Sequence, residues 1–152
     1  MINIVLNEPE IPYNTGNIAR TSYLTKTRLH LIRPLGFSLD SKLIKRAGLD
    51  YWPKVDLCIH DSFMDFYEEN KDKNLYFATS KAKRSYSDVS YKDGDFIIFG
   101  SESSGFSDEV RSLAKGKEVT IPMLVDDERS YNLSNSAAII LFEALRQIEF
   151  CL

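Results

Sequence analysis

Phe96-Ile97-Ile98-Phe99-Gly100-Ser101-Glu102-Ser103-Ser104-Gly105 is the stretch that decides the fold. Four apolar residues run into a glycine, an acid and a second glycine. An all-apolar run of this length fits a strand buried on both faces, as in a parallel sheet covered by helices. Glycine after such a strand lets the backbone approach a ligand closely. Three phosphate- or ester-handling motifs are near misses. Ser101-Glu102 breaks the G-x-G-x-x-G dinucleotide fingerprint, and Phe106 stands where a P-loop needs Lys. Ser103 lies in something like a G-x-S-x-G elbow, but His30 and His60 both precede it, whereas a hydrolase histidine follows its serine.

Outward from this stretch, short β-branched and aromatic runs alternate with helix-length segments. The predicted strands are Ile2–Leu6, Arg28–Ile32, Val55–Ile59, Leu75–Ala78, Phe96–Phe99 and Val119–Ile121. The predicted helices are Gly16–Lys26, Ser41–Ala47, Ser62–Asn70, Ser107–Leu113 and Ser134–Phe150; in the last, Ala137, Ala138, Leu141, Leu145 and Ile148 form an apolar stripe. Strand–helix alternation predicts an α/β domain with a mostly parallel sheet flanked by helices. The 152 residues suit one domain, 1–152, with 43% hydrophobic residues to build its core.

The formal net charge of −3 hides an asymmetry. Residues 1–84 carry 13 bases and 10 acids (+3), and residues 85–152 carry 6 and 12 (−6). Between Asn17 and Arg46 there are seven bases and one acid, an excess that can face a polyanion. No apolar run approaches the ~18 residues of a membrane span, and the N-terminus lacks signal-peptide character. Cys58 and Cys151 make no metal spacing or disulfide framework. With two histidines, no metal is expected; a reducing, cytoplasmic setting is.

Two further segments follow predicted strands, at the ends where open α/β sheets bind ligands. In Asn14-Thr15-Gly16-Asn17-Ile18-Ala19-Arg20, Asn14 or Thr15 reads as an N-cap, with Arg20 in the first or second helical turn. In Arg129-Ser130-Tyr131-Asn132-Leu133-Ser134-Asn135-Ser136, more hydroxyl and amide groups gather than a single cap needs. The polar stretch Lys81–Asp95 reads as a surface loop, either a plain connection or a functional one.

In order and separation, the three segments resemble the motifs of the SPOUT class of S-adenosylmethionine-dependent RNA methyltransferases. The nearest likeness is the minimal family that 2′-O-methylates the wobble nucleotide of tRNA. Leu29-His30-Leu31-Ile32-Arg33-Pro34-Leu35-Gly36-Phe37 and Lys45-Arg46-Ala47-Gly48-Leu49-Asp50-Tyr51-Trp52 resemble intervening stretches of that family. Ser101 departs from it, where relatives usually have Pro, and so does Phe142, where many have Tyr.

The resemblance implies a C-terminal trefoil knot, a homodimer with the last helix at its interface, and methylation of nucleotide 34 in the tRNA anticodon stem-loop, in leucine-type tRNAs. The runner-up is a SPOUT enzyme acting on another tRNA position or on rRNA, and the third reading is an inactive RNA-binding module. It also implies S-adenosylmethionine held by Ala78, Thr79, Gly100, Ile121, Met123, Ser130 and Leu133, leaving as S-adenosylhomocysteine. Arg20 would clamp the 3′-phosphate and polarise the 2′-hydroxyl, Asn14 would orient the ribose, and Glu102 and Asn132 would fix Arg20 and the knot backbone. Lys42, Lys45, Arg46, Lys81, Lys83 and Arg84 are candidates for RNA phosphates, and Tyr51, Trp52 or Tyr86 for base stacking.

Overall fold

The structure, a computed structural model, describes residues 1–48 and 51–150; Leu49, Asp50 and Cys151, named above, lie outside them. Six parallel strands form one sheet in the order β3-β2-β1-β5-β4-β6: β1 (Asn3–Asn7), β2 (Arg28–Ile32), β3 (Leu57–His60), β4 (Leu75–Ala78), β5 (Phe96–Phe99) and β6 (Glu118–Val119). Alternate residues of the central strands point to opposite faces and both faces are covered. On one side Ile4, Leu6, Leu29, Leu31, Ile97 and Phe99 pack under α1 (Pro12–Leu24) and α5 (Leu133–Gln147). On the other, Val5, Ile32, Phe77, Phe96 and Ile98 pack under α3 (Phe63–Asn70) and α4 (Asp108–Ala114). The short α2 (Lys42–Gly48) lies against α1. This is the expected α/β class.

Helix α5 stops at Gln147, three residues short of the predicted Phe150, and several other ends shift by one or two residues; three of the differences have clear physical reasons. Helix α1 starts at Pro12, four residues before the predicted Gly16, with Ile11 as its N-cap. Proline at the first helical position loses no hydrogen bond and arrives with a helical φ, so it outcompetes the Asn14 and Thr15 caps. Those two are therefore buried inside the first turn, and Arg20 falls in the third. Strand β3 starts late because Val55 closes a 3₁₀ turn, its N–H on Trp52 O at 3.3 Å. Strand β6 ends at Val119 because its pairing changes side there.

Around β6, Phe77 N–H donates to Lys117 O and Thr79 N–H to Val119 O, each at 2.9 Å. On the other edge Thr120 N–H donates to Arg84 O at 2.8 Å and Tyr86 N–H to Thr120 O at 2.9 Å. The segment 119–120 thus lies between β4 and the returning 84–86 segment.

One polar group interrupts the α3–α4 face. Asn3, His30 and His60 sit side by side on β1, β2 and β3, all buried. His30 Nε2 is 3.1 Å from Asn3 Oδ1, and His30 Nδ1 is 3.0 Å from His60 Nε2. Burial, then the neighbouring His60, depresses the His30 pKa to about 4, so the ring is neutral at pH 7.

Phe77 is fully buried, in edge contact with Phe106 at a centroid distance of 5.7 Å. Phe77→Ala is expected to lower the unfolding free energy by about 3–5 kcal/mol, read as a shift in urea midpoint at unchanged slope.

Candidate active site

The sheet order reverses between β1 and β5, and in such sheets the crevice beyond the strand C-termini is the binding position. The loops after β1, β4, β5 and β6 meet the start of α5 there, around a cavity of about 470 Å³.

The loop after β5 closes on itself. Gly105 N–H donates to Ser101 O at 3.0 Å, and Gly105 takes φ +64°. A Cβ on Gly100 would lie 2.7 Å from the Gly105 carbonyl carbon, so only glycine fits. This turn delivers Glu102 to the β1–α1 loop, where its carboxylate accepts from Glu10 N–H at 2.8 Å and Ile11 N–H at 3.0 Å. The exchange is reciprocal. Glu10 accepts from the Ser101 and Ser103 hydroxyls, the latter at 2.6 Å, and these bonds, Ser101 first, hold its carboxyl below the ordinary range. Ser101 thus supplies a donor at the position where the resembled family usually has proline.

Asn14 extends the clasp to the C-terminal helix. Its Nδ2 donates to Glu102 Oε1 at 3.4 Å, and its Oδ1 accepts from Asn132 Nδ2 at 3.0 Å. Asn132 Oδ1 caps α5 through Ser134 N–H at 2.9 Å and Asn135 N–H at 3.2 Å. Three of the four residues expected to be catalytic are therefore one hydrogen-bonded unit.

Arg20 stands apart from that unit. It is exposed on α1 and does not line the cavity; its guanidinium carbon lies 5.2 Å from the Tyr51 ring centre. The bonds of Glu102 and Asn132 go to Asn14, the Ser134 hydroxyl and backbone, not to Arg20 as the sequence reading expects.

Ala78, Thr79, Gly100, Ile121, Met123, Ser130 and Leu133 all line the cavity. So do Arg111 and Glu128, which sequence reasoning missed because each sits amid ordinary surface charge. Glu10 was missed too; its one signal was its place in the rigid Pro9–Pro12 stretch.

Of the basic candidates, Lys81 is at the cavity and Lys83 and Arg84 follow it, all exposed; Lys42, Lys45 and Arg46 are exposed on α2. Trp52 and Tyr86 pack against the core, which makes Tyr51, held under Arg20, the better-placed ring for stacking.

The sequence profile of the SpoU rRNA Methylase family matches residues 1–142. The chain belongs to that family. Its SpoU relatives include a Listeria innocua protein, 50% identical over 151 residues, covering 97% of this chain and 89% of the relative. The Escherichia coli K12 protein named tRNA (cytidine(34)-2'-O)-methyltransferase is 43% identical over 151 residues, 99% of this chain and 96% of that one. A solved structure described in terms of the 2-OH methylation of C/U34 on tRNA superposes with TM-score 0.92 at 43% identity, covering 98% of this chain and 97% of that chain.

The clasp gives a pH signature. Glu10 ionises below its ordinary 4.5, so its contribution is complete above that pH and is lost as pH falls through the lower folded value. In acid unfolding, wild type should be more stable than Glu10→Gln at pH 5–7 (about neutrality), with the gap closing only below the ordinary carboxylate range. Separately, Glu102→Ala strands two backbone N–H groups and is expected to cost about 1–3 kcal/mol in denaturant unfolding.

Proposed function

We propose that this chain transfers a methyl group from S-adenosylmethionine to the ribose 2′-hydroxyl of nucleotide 34 in tRNA. One observation carries the reading. The chain is 43% identical, across 99% of its length, to an enzyme named for that reaction, and its three motifs bring Asn14, Gly100–Glu102 and Ser130–Leu133 to one cavity.

The cavity suits the cofactor chemically. Its volume of about 470 Å³ lies within the range of small-molecule sites. Ile121, Met123, Leu133 and Ile140 give apolar wall for an adenine, and Gly100 admits backbone contact. Ala78, Thr79, Gly100, Ile121, Met123, Ser130 and Leu133 would hold it. When bound, S-adenosylmethionine supplies an electrophilic methyl on a sulfonium.

The protein's task is then geometric. The ribose oxygen must lie in line with the methyl and sulfur, and such positioning is worth a large share of the barrier. Glu102, Asn14 and Asn132 fix the walls that set this line. Asn14 acts as a positioning residue, since both ends of its carboxamide are engaged. Arg20 clamps the substrate phosphate and polarises the 2′-hydroxyl; with a pKa above ~12 it does not serve as the base, and phosphate or water takes the proton. Its distance from the cavity within one chain supports a homodimer in which Arg20 of one copy serves the cavity of the other. Tyr13, Ile139, Phe142 and Phe150, exposed apolar side chains on and after α1 and α5, are the surface for that contact. The two-sided pairing of residues 119–120 supports a trefoil knot, with the 79–86 loop wrapped around the C-terminal segment.

Lys81, Lys83, Arg84, Lys42, Lys45 and Arg46 supply phosphate contacts to the anticodon stem-loop, and a cytoplasmic setting goes with that substrate. Incubation with labelled cofactor and total tRNA lacking the modification, followed by nucleoside mass spectrometry, should show one 2′-O-methyl nucleoside at position 34 and reveal whether leucine-type tRNAs carry it. No label in tRNA would refute the reading. Arg20→Lys is expected to cut kcat at saturating tRNA by about 10²-fold or more, because an ammonium cannot reproduce a planar fork on phosphate. Near-normal turnover would remove Arg20 from its role. Binding of tRNA should weaken linearly in log–log salt plots.

A further inference from the structure

At the sheet edge farthest from β6, Cys58 and His60 occupy the same face of β3, two residues apart, and the register places His30 of β2 opposite Cys58. A ring nitrogen from each histidine and the Cys58 Sγ lie within 4.8 Å of one another. Sequence spacing gave no hint of this, because the three ligands come from two strands joined through α2.

The hydrogen bonds settle where the lone pairs point. The Asn3 amide Nδ2 faces the carbonyls of Met1, Gly94 and Asp95, so its Oδ1 faces His30 and can only accept. His30 therefore carries its proton on Nε2 and offers the Nδ1 lone pair toward His60. His60 has Glu69 Oε2 3.9 Å from its other nitrogen, Nδ1. His30 thus has an oxygen acceptor behind the nitrogen that does not face the cluster, the arrangement that orients metal-ligating imidazoles, and His60 has a carboxylate nearby on the corresponding side.

An entry path adjoins the cluster. His60 lines a solvent-facing pocket of about 390 Å³ together with Asp61, Asp65, Glu68 and Glu69. Asp61 pairs with Arg33 and Glu68 with Lys71, which leaves Asp65 and Glu69 as the carboxylates that attract cations to the opening.

We infer that His30 Nδ1, His60 Nε2 and Cys58 Sγ form a site for a borderline-soft divalent cation of the zinc type, with water from the acidic pocket as the fourth ligand. Two imidazoles and a thiolate select such an ion over magnesium or calcium. The nitrogens, hydrogen-bonded at 3.0 Å between near-parallel rings, would open to roughly 3.3 Å, the spacing of two ligands on a tetrahedral zinc, as the rings turn their lone pairs toward a common point. The proton balance is simple. The Cys58 S–H proton leaves to solvent as the metal–sulfur bond forms. The His60 proton moves from Nε2 to Nδ1, the nitrogen on the side of the Glu69 carboxylate 3.9 Å away. The bound ion would staple edge strand β3 to β2, remote from the methyl-transfer cavity and independent of it.

The test uses the full chain stripped with chelator and titrated with Co²⁺, then Zn²⁺. One Co²⁺ per chain should bind with a thiolate-to-cobalt charge-transfer band, be displaced by Zn²⁺, and raise the melting temperature. Cys58→Ala should abolish the band and weaken Zn²⁺ binding by about 100-fold or more, while Cys151→Ala keeps both. Cys58→Ser, nearly isosteric, gives the same reading should the alanine variant fail to fold. No stoichiometric band in wild type, or a band that survives loss of Cys58 or disappears with Cys151, overturns the site.

Discussion

Two carboxylates exchanged between neighbouring loops hold the functional end of this molecule together. Glu102 takes the two backbone N–H groups at Glu10 and Ile11, and Glu10 takes the hydroxyls of Ser101 and Ser103. Hydrogen bonds to ionised acceptors are about twice as strong as neutral ones. Their effect here is to join the C-terminal ends of β1 and β5, the strands between which the sheet changes direction. Asn14 passes the constraint to Asn132, and so to the start of α5. Without the exchange, the cavity walls would be three independent loops.

The fold was legible because its signals are local and repeated. All-apolar Phe96–Phe99 and the mixed run Arg28–Ile32 became strands at the predicted residues, and Ala137, Leu141 and Leu145 of the predicted stripe are buried together with Ile140 and Ala144. Errors gathered where two local rules compete. Pro12 and the Asn14–Thr15 pair both mark helix starts, and proline won because its missing N–H costs nothing at that position.

The site was legible in a different way. Family resemblance named the residues, and the cavity gathers Gly100, Ile121, Met123, Leu133 and their companions from four separate loops. Composition could not have done this, since contacts such as Asn14 to Asn132 span 118 positions. What stayed hidden was the pairing of partners: Glu10 with the serines, and Arg20 with Tyr51 rather than with Glu102. A side chain's hydrogen-bond partner depends on loop path, and loop path has no periodicity to read. His30, Cys58 and His60 were hidden for the same reason, being neighbours only through strand register.

The sheet order has a consequence for how the chain is made. Strand β1 pairs on one side with β2, about one helix away, and on the other with β5, where Asn3 lies beside Phe96. During synthesis the first three strands can therefore assemble from the first 60 of the 152 residues, leaving one flank of β1 waiting. That flank is completed only when β5 leaves the ribosome, and the cavity only after Leu133 does. Until then an apolar strand edge stays open to neighbours, so the nascent half-sheet is the stage most exposed to wrong edge pairing.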